Sequence, residues 1–282
     1  MKILVTGATG FVGQHVINEL LKYDHQIIAA VRNKDSVTHL PDTIKIIELD
    51  LDNLESNKNY FSETGNPDLL LHLAWQGLPN YKESFHLEKN LPSHSAFLKN
   101  MAENGLQNLV VSGTCFEYGM KDGCLSEDME SDPQNPYAIA KDELRKFLED
   151  LQHENHFTLK WIRLFYMYGK EQNPNSLLSQ LERALQNGDA VFNMSRGEQL
   201  RDYLPIETVA EYIVKIALQN KITGIINCCS GVGVKVKTFV ETYLKKSNKK
   251  INLNLGYYPY PDYEPMAFWG DDKKLKKILN SI

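Results

Sequence analysis

Residues 2–13 read KILVTGATGFVG, in which an apolar strand runs directly into a glycine-rich loop and the start of a helix. Gly7 permits the tight turn, Gly10 lets the backbone approach a pyrophosphate, and Gly13 allows close contact between helix and sheet. The start of the helix then presents free N–H groups and a positive dipole end to an anion. This stretch predicts a dinucleotide-binding loop, and the expected contacts are Gly7, Thr9, Gly10, Phe11, Val12 and Gly13.

Short apolar runs alternate with amphipathic helical patterns through residues 1–165. Near-continuous Ile, Leu and Val indicate strands buried on both faces, as in a parallel sheet covered by helices. The predicted strands are 2–6, 26–31, 44–49, 68–73, 108–112 and 158–165, and the predicted helices are 11–23, 85–104 and 137–154. This alternation predicts an α/β fold with a doubly wound, parallel, Rossmann-type sheet.

The last third of the sequence is less regular. Helical patterns cover 175–187, 206–219, 236–246 and 271–279, a strand is predicted at 224–229, and 256–269 is predicted to be irregular. We expect a dinucleotide-binding Rossmann domain at 1–168, and a smaller C-terminal substrate-binding lid formed mainly by 169–282. Because no linker-like composition separates the two, some later segments are expected to return to the first domain.

Composition argues against several classes of protein. The formal net charge of −5 and the pI of about 5.9 disfavour a nucleic-acid partner, whose binding needs clustered Lys and Arg. We expect neither a signal peptide nor a membrane span, which needs roughly 20 apolar residues. Cys115, Cys124, Cys228 and Cys229 lack metal-ligand spacing and are expected to be reduced, mostly packed thiols. The sequence thus predicts a cytoplasmic protein with no bound metal.

The end of the second predicted strand bears on the choice of cofactor. Sites for dinucleotides without a 2′-phosphate usually place Asp or Glu there to hold the ribose hydroxyls. Here the strand ends in Val31-Arg32-Asn33, and the guanidinium of Arg32 suits a 2′-phosphate. The sequence therefore favours NADP over NAD, although an Arg32 lying over the adenine would fit either. Asp50, after the third strand, is expected either to bind the adenine amino group or to serve as a turn or capping residue.

Tyr137 and Lys141 stand one helical turn apart in the run PYAIAK at 136–141. A phenol titrates at about pH 10, too high for a base at neutrality, and a nearby ammonium group lowers that pKa. Such a pair can move a proton on or off a carbinol oxygen while a nicotinamide moves hydride at the same carbon. We therefore interpret Tyr137 and Lys141 as catalytic residues.

Together these motifs resemble the extended short-chain dehydrogenase/reductase superfamily, and within it the NAD-dependent epimerase/dehydratase family. The resemblance extends over nearly the whole chain and includes HLA at 72–74 and SGTCFEYG at 112–119. It implies that Thr114 hydrogen-bonds the reacting oxygen, with Ser112 as a less favoured alternative that would bind backbone instead. The further cofactor contacts implied are Asp50, Leu51, Leu73, Ala74, Trp75, Asn90, Tyr137 and Lys141.

Two absences narrow the reaction that this resemblance implies. Sugar-nucleotide 4,6-dehydratases of the family follow the catalytic Thr with Asp and Glu, whereas this chain has Cys115 and Phe116. Glu117 comes one position later, on a different trajectory, so a dehydratase is disfavoured. Cys115 also fits poorly the thiol of the epimerase–reductases that form GDP-fucose, which need a His base as well. We expect Cys115 to be a small packed side chain.

The substrate side carries further similarities to the family. In LRDYL at 200–204 the family's Arg meets the substrate pyrophosphate, which implies that role for Arg201. An ion pair between Arg201 and Asp202 is the alternative. Asn193 lies in a stretch similar to the one that lines the nucleotide pocket. Tyr166 stands where the family usually has Asn, so it is expected to stack or hydrogen-bond near the sugar, or simply to pack.

A narrower similarity concerns HLAW at 72–75, GTCFEYG at 113–119 and FYMYG at 165–169. These runs resemble bacterial nucleotide-sugar 4-ketoreductases, such as those that form dTDP-fucose or CDP-abequose. The similarity implies NAD(P)H-dependent reduction of a nucleoside-diphosphate 4-keto-6-deoxyhexose, for example dTDP-4-dehydro-6-deoxyglucose, to the 4-hydroxy sugar. The product would serve deoxysugar and polysaccharide biosynthesis.

Other functions stay open from the sequence. A nucleotide-sugar 4-epimerase with retained NAD would use the same residues, and its signature would be bound NAD without net redox change. A non-catalytic dinucleotide-binding sensor is disfavoured by the intact Thr114, Tyr137 and Lys141. A homodimer through the long helices predicted at 85–104 and 137–154 is a further expectation, as in relatives of the family.

Overall fold

The structure is a computed structural model that describes residues 1–37 and 40–281. In chain order its strands are β1 (Lys2–Thr6), β2 (Gln26–Val31), β3 (Lys45–Glu48), β4 (Leu69–His72), β5 (Asn108–Thr114), β6 (Gly123–Leu125), β7 (Thr158–Leu164), β8 (Tyr166–Tyr168), β9 (Val191–Met194), β10 (Leu200–Arg201), β11 (Tyr203–Pro205), β12 (Gly224–Cys228), β13 (Val234–Lys235), β14 (Asn252–Leu255) and β15 (Phe268–Gly270).

The α-helices of the described residues are α1 (Phe11–Leu20), α2 (Tyr60–Glu63), α3 (Leu91–Glu103), α4 (Pro136–Glu154), α5 (Leu177–Asn187), α6 (Ile206–Leu218), α7 (Val236–Lys246) and α8 (Lys273–Leu279). A π-helical turn over His86–Asn90 leads directly into α3, and short 3₁₀ turns cover Lys34–Ser36, Leu51–Asn53 and Cys115–Tyr118.

Seven parallel strands form the central sheet, in the order β3-β2-β1-β4-β5-β7-β12. The chain builds outward from β1 in one direction and then, from β4, in the other, so the order reverses between these two strands. Ligands of open α/β sheets bind at such a reversal, outside the carboxyl ends of the strands. The predicted doubly wound, Rossmann-type α/β fold is confirmed.

Helices cover both faces of this sheet. Ile3 and Val5 of β1 pack into the core on the α1 and α6 side, whereas Leu4 between them packs on the α3 and α4 side. Successive side chains of a strand point to opposite faces, so a strand buried on both faces needs an apolar residue at every position. This explains why the central strands read as continuous apolar runs rather than alternating ones.

Part of the last third belongs to the main sheet. The predicted strand at 224–229 forms as β12 and pairs with β7, and α6 packs against α1. By contrast α5, β9 and α7 share a separate apolar core, which includes Leu181, Phe192, Met194, Val240 and Leu244. This second core lies apart from the two cores beside the sheet, while the division of the chain at 168 into a Rossmann domain and a C-terminal lid stays a prediction.

The sequence patterns missed the short pairings between distant segments. The stretch 256–269 was predicted to be irregular, which is wrong at its end, because β15 pairs with β6. Strands of two to four residues carry no recognisable period, and their partners lie far away in the sequence. Among residues 1–37 and 40–281, no helix combines the length and the apolarity that crossing a bilayer requires.

Candidate active site

A cleft of about 740 Å³ opens at the carboxyl edge of the central sheet, beside the reversal of strand order. Its walls come from the glycine loop, the ends of β2, β4 and β5, the start of α4 and the stretch after β7. The residues predicted from sequence that line it are Gly7, Thr9, Gly10, Phe11, Val12, Gly13, Arg32, Leu51, Leu73, Ala74, Trp75, Thr114, Tyr137, Lys141 and Tyr166. The remaining predicted residues, Asp50, Asn90, Asn193 and Arg201, do not contribute to its lining.

The glycine loop forms a cradle that side chains would fill. Gly7 adopts a φ of +71°, and a Cβ there would lie 2.6 Å from the backbone nitrogen of Ala74. A Cβ on Gly13 would lie 2.0 Å from the carbonyl oxygen of Gly7. No side chain caps α1 at Gly10, so the first-turn N–H groups remain for an anion. The cradle therefore fits the pyrophosphate of a dinucleotide.

Arg32 lies exposed at the edge of the cleft, directly after β2. Its Nη1 donates a hydrogen bond to Oε1 of Gln76 (3.3 Å), and Nε2 of Gln76 donates to Asp52 (2.9 Å). Lys89 lies 2.9 Å from the same Asp52 carboxylate. Burial raises the pKa of Asp52, but hydrogen bonds from Lys89 and Gln76 outweigh it and lower the pKa overall. Sequence reasoning missed Asp52 and Gln76, which follow no motif.

Asp50 serves as a capping residue. Its carboxylate caps the 3₁₀ turn at Leu51–Asn53, accepting from the backbone nitrogen of Asp52 (3.1 Å) and from Nδ2 of Asn53 (2.6 Å). The structure thus bears out the capping alternative raised for this residue, whereas its contact with adenine stays a prediction. Leu51, the next residue, is buried and lines the cleft.

Three buried side chains meet at the centre of the cleft. Thr114 ends β5, and Tyr137 and Lys141 lie in the first two turns of α4. That helix begins here because Asn135 accepts a hydrogen bond from the backbone nitrogen of Ala138 (3.0 Å), while Pro136 suits the first helical position. The strand end and the helix start thereby place the three predicted catalytic residues in one cleft.

Burial governs the protonation of this group. It raises the pKa of Tyr137, with Tyr81 and Glu117 acting in the same direction and a hydrogen bond with Thr114 opposing them. Lys141 is not among the main causes of this shift, so its expected lowering of the pKa of Tyr137 is not borne out, and the phenol is protonated at neutral pH. Burial lowers the pKa of Lys141 to about 7, against the attraction of Glu117. Nζ of Lys141 donates to the carbonyl oxygen of Ser112 (2.7 Å).

Glu117 has a structural role, which removes it as a catalytic acid. It accepts hydrogen bonds from the backbone nitrogen of Thr114 (2.8 Å), from Nε1 of Trp161 (3.0 Å) and from Nε of Arg163 (2.7 Å). Its carboxylate is completely buried and, like that of Asp50, lies outside the cleft lining. These contacts are a further argument against a dehydratase, which the sequence already disfavoured.

Ser112 and Cys115, which lie close to Thr114 in the sequence, have structural rather than catalytic contacts. The Ser112 hydroxyl donates to the backbone oxygen of His72 (3.4 Å), and the expectation that Ser112 binds backbone is confirmed. Cys115 is buried, and burial raises the pKa of its thiol, so it is not a ready nucleophile. Cys228 and Cys229 are also buried, whereas Cys124 is exposed. In the described part of the chain no group of His, Cys, Asp and Glu side chains is arranged to hold a metal ion.

Asn90 supports a loop rather than the cleft surface. The residue is buried, and Nδ2 donates to the backbone oxygen of Gln76 (3.1 Å) and approaches Nδ1 of His86 (3.3 Å). Its direct contact with a cofactor stays a prediction. Trp75, which does line the cleft, donates from Nε1 to the same His86 nitrogen (3.0 Å).

Arg201, which is predicted to bind the substrate, is already paired within the protein. Arg201 is 2% exposed, and its Nη2 and Nε donate to one carboxylate oxygen of Glu264, at 2.6 and 3.0 Å. The proposed ion pair with Asp202 is wrong, because Asp202 instead accepts from the backbone nitrogens of Ser230 and Gly231. The pyrophosphate contact of Arg201 stays a prediction.

Asn193 has a hydrogen-bond partner within the protein, whereas the buried hydroxyl of Tyr166 has none among the described residues. Oδ1 of Asn193 accepts from Nδ2 of Asn254 (2.8 Å), which ties β9 to β14. Tyr166 lines the cleft and packs against Phe116 and Phe268, with ring centroids 6.3 and 6.0 Å away. No local signal in the sequence indicates these pairings, since each joins segments far apart in the chain.

Known proteins resemble this chain over most of its length. The family model described as NAD dependent epimerase/dehydratase family matches residues 3–229. A dTDP-6-deoxy-L-talose 4-dehydrogenase (NAD(+)) of Aggregatibacter actinomycetemcomitans is 33% identical over 271 residues, which cover 96% of this chain and 99% of the relative. UDP-arabinose 4-epimerase 1 of Arabidopsis thaliana is 26% identical over an alignment of 317 residues, covering 99% of this chain and 74% of the relative.

Solved structures share the fold. UDP-glucuronic acid 4-epimerase from Bacillus cereus, in complex with UDP-glucuronic acid and NAD, has a TM-score of 0.84 at 24% identity. The similarity covers 99% of this chain and 93% of that one. At this identity the likeness concerns the fold alone.

Proposed function

Since the chain belongs to the NAD-dependent epimerase/dehydratase family, as its motifs predicted, we propose that it is a nucleotide-sugar 4-ketoreductase. Its substrate would be a nucleoside-diphosphate 4-keto-6-deoxyhexose such as dTDP-4-dehydro-6-deoxyglucose, and its product the 4-hydroxy sugar. One observation carries the proposal: a protonated Tyr137 shares a cleft with Thr114, Lys141 and a glycine cradle. A buried phenol that keeps its proton is suited to donate it to a carbonyl oxygen.

The chain's own residues would handle the oxygen and the proton. The Thr114 hydroxyl donates a hydrogen bond to the ketone oxygen and polarises it. The Tyr137 phenol gives its proton to that oxygen as the C=O double bond becomes C–OH. The Lys141 ammonium stabilises the phenolate left behind. The chemistry that a reduced nicotinamide would supply, when bound beside these residues, is the hydride with its two electrons for the same carbon.

The relative that is 33% identical supports reaction at C4 of a 6-deoxysugar. Its name describes a 4-dehydrogenase acting on dTDP-6-deoxy-L-talose. Oxidation of a 4-hydroxyl is the reverse of 4-keto reduction, so one set of acid, base and polarising groups serves both directions. The structural role of Glu117 also argues for a redox reaction alone rather than loss of water.

A 4-epimerase with retained NAD is the second candidate. It is favoured by the names of relatives, including UDP-arabinose 4-epimerase 1. Such an enzyme oxidises and re-reduces one sugar at C4 with the same three residues. It would purify with bound NAD and show no net change in nicotinamide absorbance.

The cofactor preference rests on opposing observations. The sequence signal of Arg32 and the absence of an acid at the end of β2 support NADP, whereas the similar proteins are named for, or bind, NAD. We propose that the site accepts a nicotinamide dinucleotide with Arg32 at the 2′-position. We further propose a cytoplasmic location and a homodimer through α3 and α4.

The test is an absorbance assay at about 340 nm with NADH and NADPH offered separately, using freshly made dTDP-4-dehydro-6-deoxyglucose. We expect a loss of absorbance that requires the sugar. The rate of this loss should fall about 100- to 10,000-fold in Tyr137→Phe, because proton transfer is lost. Tyr81→Phe, whose ring centroid lies 5.5 Å from that of Tyr137, is the matched control. No loss with either cofactor would exclude this substrate. Interconversion of C4 epimers without net absorbance change would establish the epimerase.

A further inference from the structure

One aromatic side chain contacts both groups that handle the proton. The ring centroid of Trp75 lies 4.1 Å from Nζ of Lys141, within the range of a cation–π interaction. Its ring also meets the ring of Tyr137 nearly edge-on, with 6.1 Å between centroids. The sequence indicated Trp75 only as a lining residue of the cofactor site, and nothing in its motif predicted contact with Lys141.

Lys141 depends on this contact more than an ordinary lysine would. The residue is 1% exposed, and its one hydrogen bond among the described residues goes to the neutral carbonyl oxygen of Ser112. No carboxylate of the described residues forms an ion pair with it, and Glu117 attracts it only from a distance. Burial without a charged partner disfavours an ammonium group. The electron-rich face of Trp75 and the carbonyl oxygen of Ser112 are therefore the two direct contacts that favour its charged form.

A hydrogen-bonded chain fixes the orientation of the indole. Nε1 of Trp75 donates to Nδ1 of His86 (3.0 Å), and Nε2 of His86 donates to the backbone oxygen of Asn80 (3.0 Å). Because Nδ1 accepts, the proton of the neutral imidazole lies on Nε2. His94 packs against the indole as well, with 4.6 Å between ring centroids. The indole is thus held on several sides.

We propose that Trp75 is a positioning residue for Lys141, holding its ammonium form in the cleft, and that His86 and the carbonyl of Asn80 fix the indole for this task. The proposal rests on the proposed function only where Lys141 assists Tyr137. The contact itself concerns the protein alone and can be measured without turnover.

The other titratable groups around Lys141 divide into two kinds. Glu117, from the turn after β5, favours the ammonium form, and Tyr137 on α4 is neutral at ordinary pH. Burial lowers the pKa values of His72 on β4, of His94 on α3 and of His86, so these imidazoles are neutral too. Removal of Trp75 would therefore leave the Ser112 carbonyl oxygen and the more distant Glu117 as the groups that favour the charge.

The kinetic test compares Trp75→Leu with Trp75→Phe. Leu removes the aromatic face, whereas Phe keeps a face and loses only the N–H to His86. Activity that needs the ammonium form falls as pH rises through the pKa of Lys141, about 7 in the free protein. We expect Trp75→Leu to move this basic limb about one pH unit toward acid, and Trp75→Phe to move it less. An unmoved limb in Trp75→Leu, with an unchanged melting temperature, would overturn the proposal.

A second measurement separates the proposal from the proposed function. The intrinsic fluorescence of Trp75, taken as the difference between wild type and Trp75→Phe, should titrate with Lys141, because an adjacent ammonium quenches indole emission. Trp161 and Trp269 remain in both proteins and cancel in the difference. Lys141→Met should abolish the titration near pH 7. A difference signal that titrates unchanged in Lys141→Met would overturn the contact, whatever substrate the enzyme uses.

Discussion

The predicted cofactor half of the site lines the cleft, whereas the predicted substrate half around Arg201 and Asn193 does not, and the two differ in how their polar groups are engaged. In the cofactor half, the glycine cradle, Thr114, Tyr137 and Lys141 all line the cleft. In the substrate half, Arg201 is held by Glu264 and Asn193 by Asn254, so these side chains are paired inside the protein. The cofactor half is therefore built to receive its ligand as it stands. To bind a substrate, Arg201 would have to exchange its ion pair with Glu264 for a contact with the substrate.

After the loss expected for Tyr137→Phe, the next largest effect in the cofactor half is expected from Thr114→Val, which keeps the shape of the side chain and removes its hydroxyl. Loss of one hydrogen-bond donor to the developing oxyanion should lower kcat about 100- to 1,000-fold. The matched control is Ser112→Ala, because the Ser112 hydroxyl binds the backbone of His72. Steady-state rates of the two variants settle the assignment. Equal losses would show that Thr114 has no special place at the reacting oxygen.

The glycine cradle offers the next test, since Gly13 and Gly10 differ in the space around them. A Cβ on Gly13 would lie 2.0 Å from the Gly7 oxygen, whereas a Cβ on Gly10 would lie 3.2 Å from the same atom. Gly13→Ala should therefore lower the free energy of unfolding by about 1–3 kcal/mol, as overpacking does. Gly10→Ala should cost less stability while still weakening dinucleotide binding. Denaturant melts and cofactor titrations separate the two effects, and equal stability losses would contradict the geometry.

A smaller effect is expected at the edge of the cleft where Arg32 lies. Arg32→Gln keeps a polar side chain and removes the charge that would pair with a 2′-phosphate. The ratio of kcat/KM with NADPH to that with NADH should fall about tenfold, the value of one charge-assisted hydrogen bond at an exposed site. Lys34→Gln, on the adjacent turn, is the control for general loss of positive charge. An unchanged ratio would mean that Arg32 does not read the 2′-position.

The cofactor half and the substrate half also differ in how much of each could be predicted from the sequence. Local spacing sets the cofactor half: Tyr137 and Lys141 are one helical turn apart, and the glycine loop joins β1 to α1 without interruption. The strand ends carry Leu73 and Thr114 to the same edge because parallel strands share a direction. Each element therefore indicates its own part of the site, and the sheet assembles the parts.

The substrate half follows no such local rule. Glu264 stands 63 positions from Arg201, in a stretch whose sequence indicates only irregular structure. Similarity to the family suggested a role for Arg201 but said nothing of its partner within this chain. The ion pair expected with Asp202 failed because that carboxylate instead organises the backbone at Ser230, Gly231 and Gly270. Pairings between distant segments depend on the finished fold, so only the structure reveals them.

The smallest expected effect tests the exchange of partners at Arg201. Glu264→Gln keeps the size of the side chain but weakens its hold on the guanidinium by one charge. If the substrate diphosphate takes the place of Glu264, the substrate KM should fall about fivefold, since a neutral hydrogen bond is easier to displace than a charged one. The same change should lower the free energy of unfolding, because it leaves a buried charge less well paired.

The control for Glu264→Gln is Asp262→Asn in the same segment, whose exposed carboxylate pairs with Lys82 at 2.8 Å on the surface. Surface pairs of this kind contribute little, so both KM and stability should stay nearly constant. A rise in KM for Glu264→Gln would instead assign the Arg201–Glu264 pair a purely structural role. The diphosphate would then need another cation, and the family role of Arg201 would not apply to this chain.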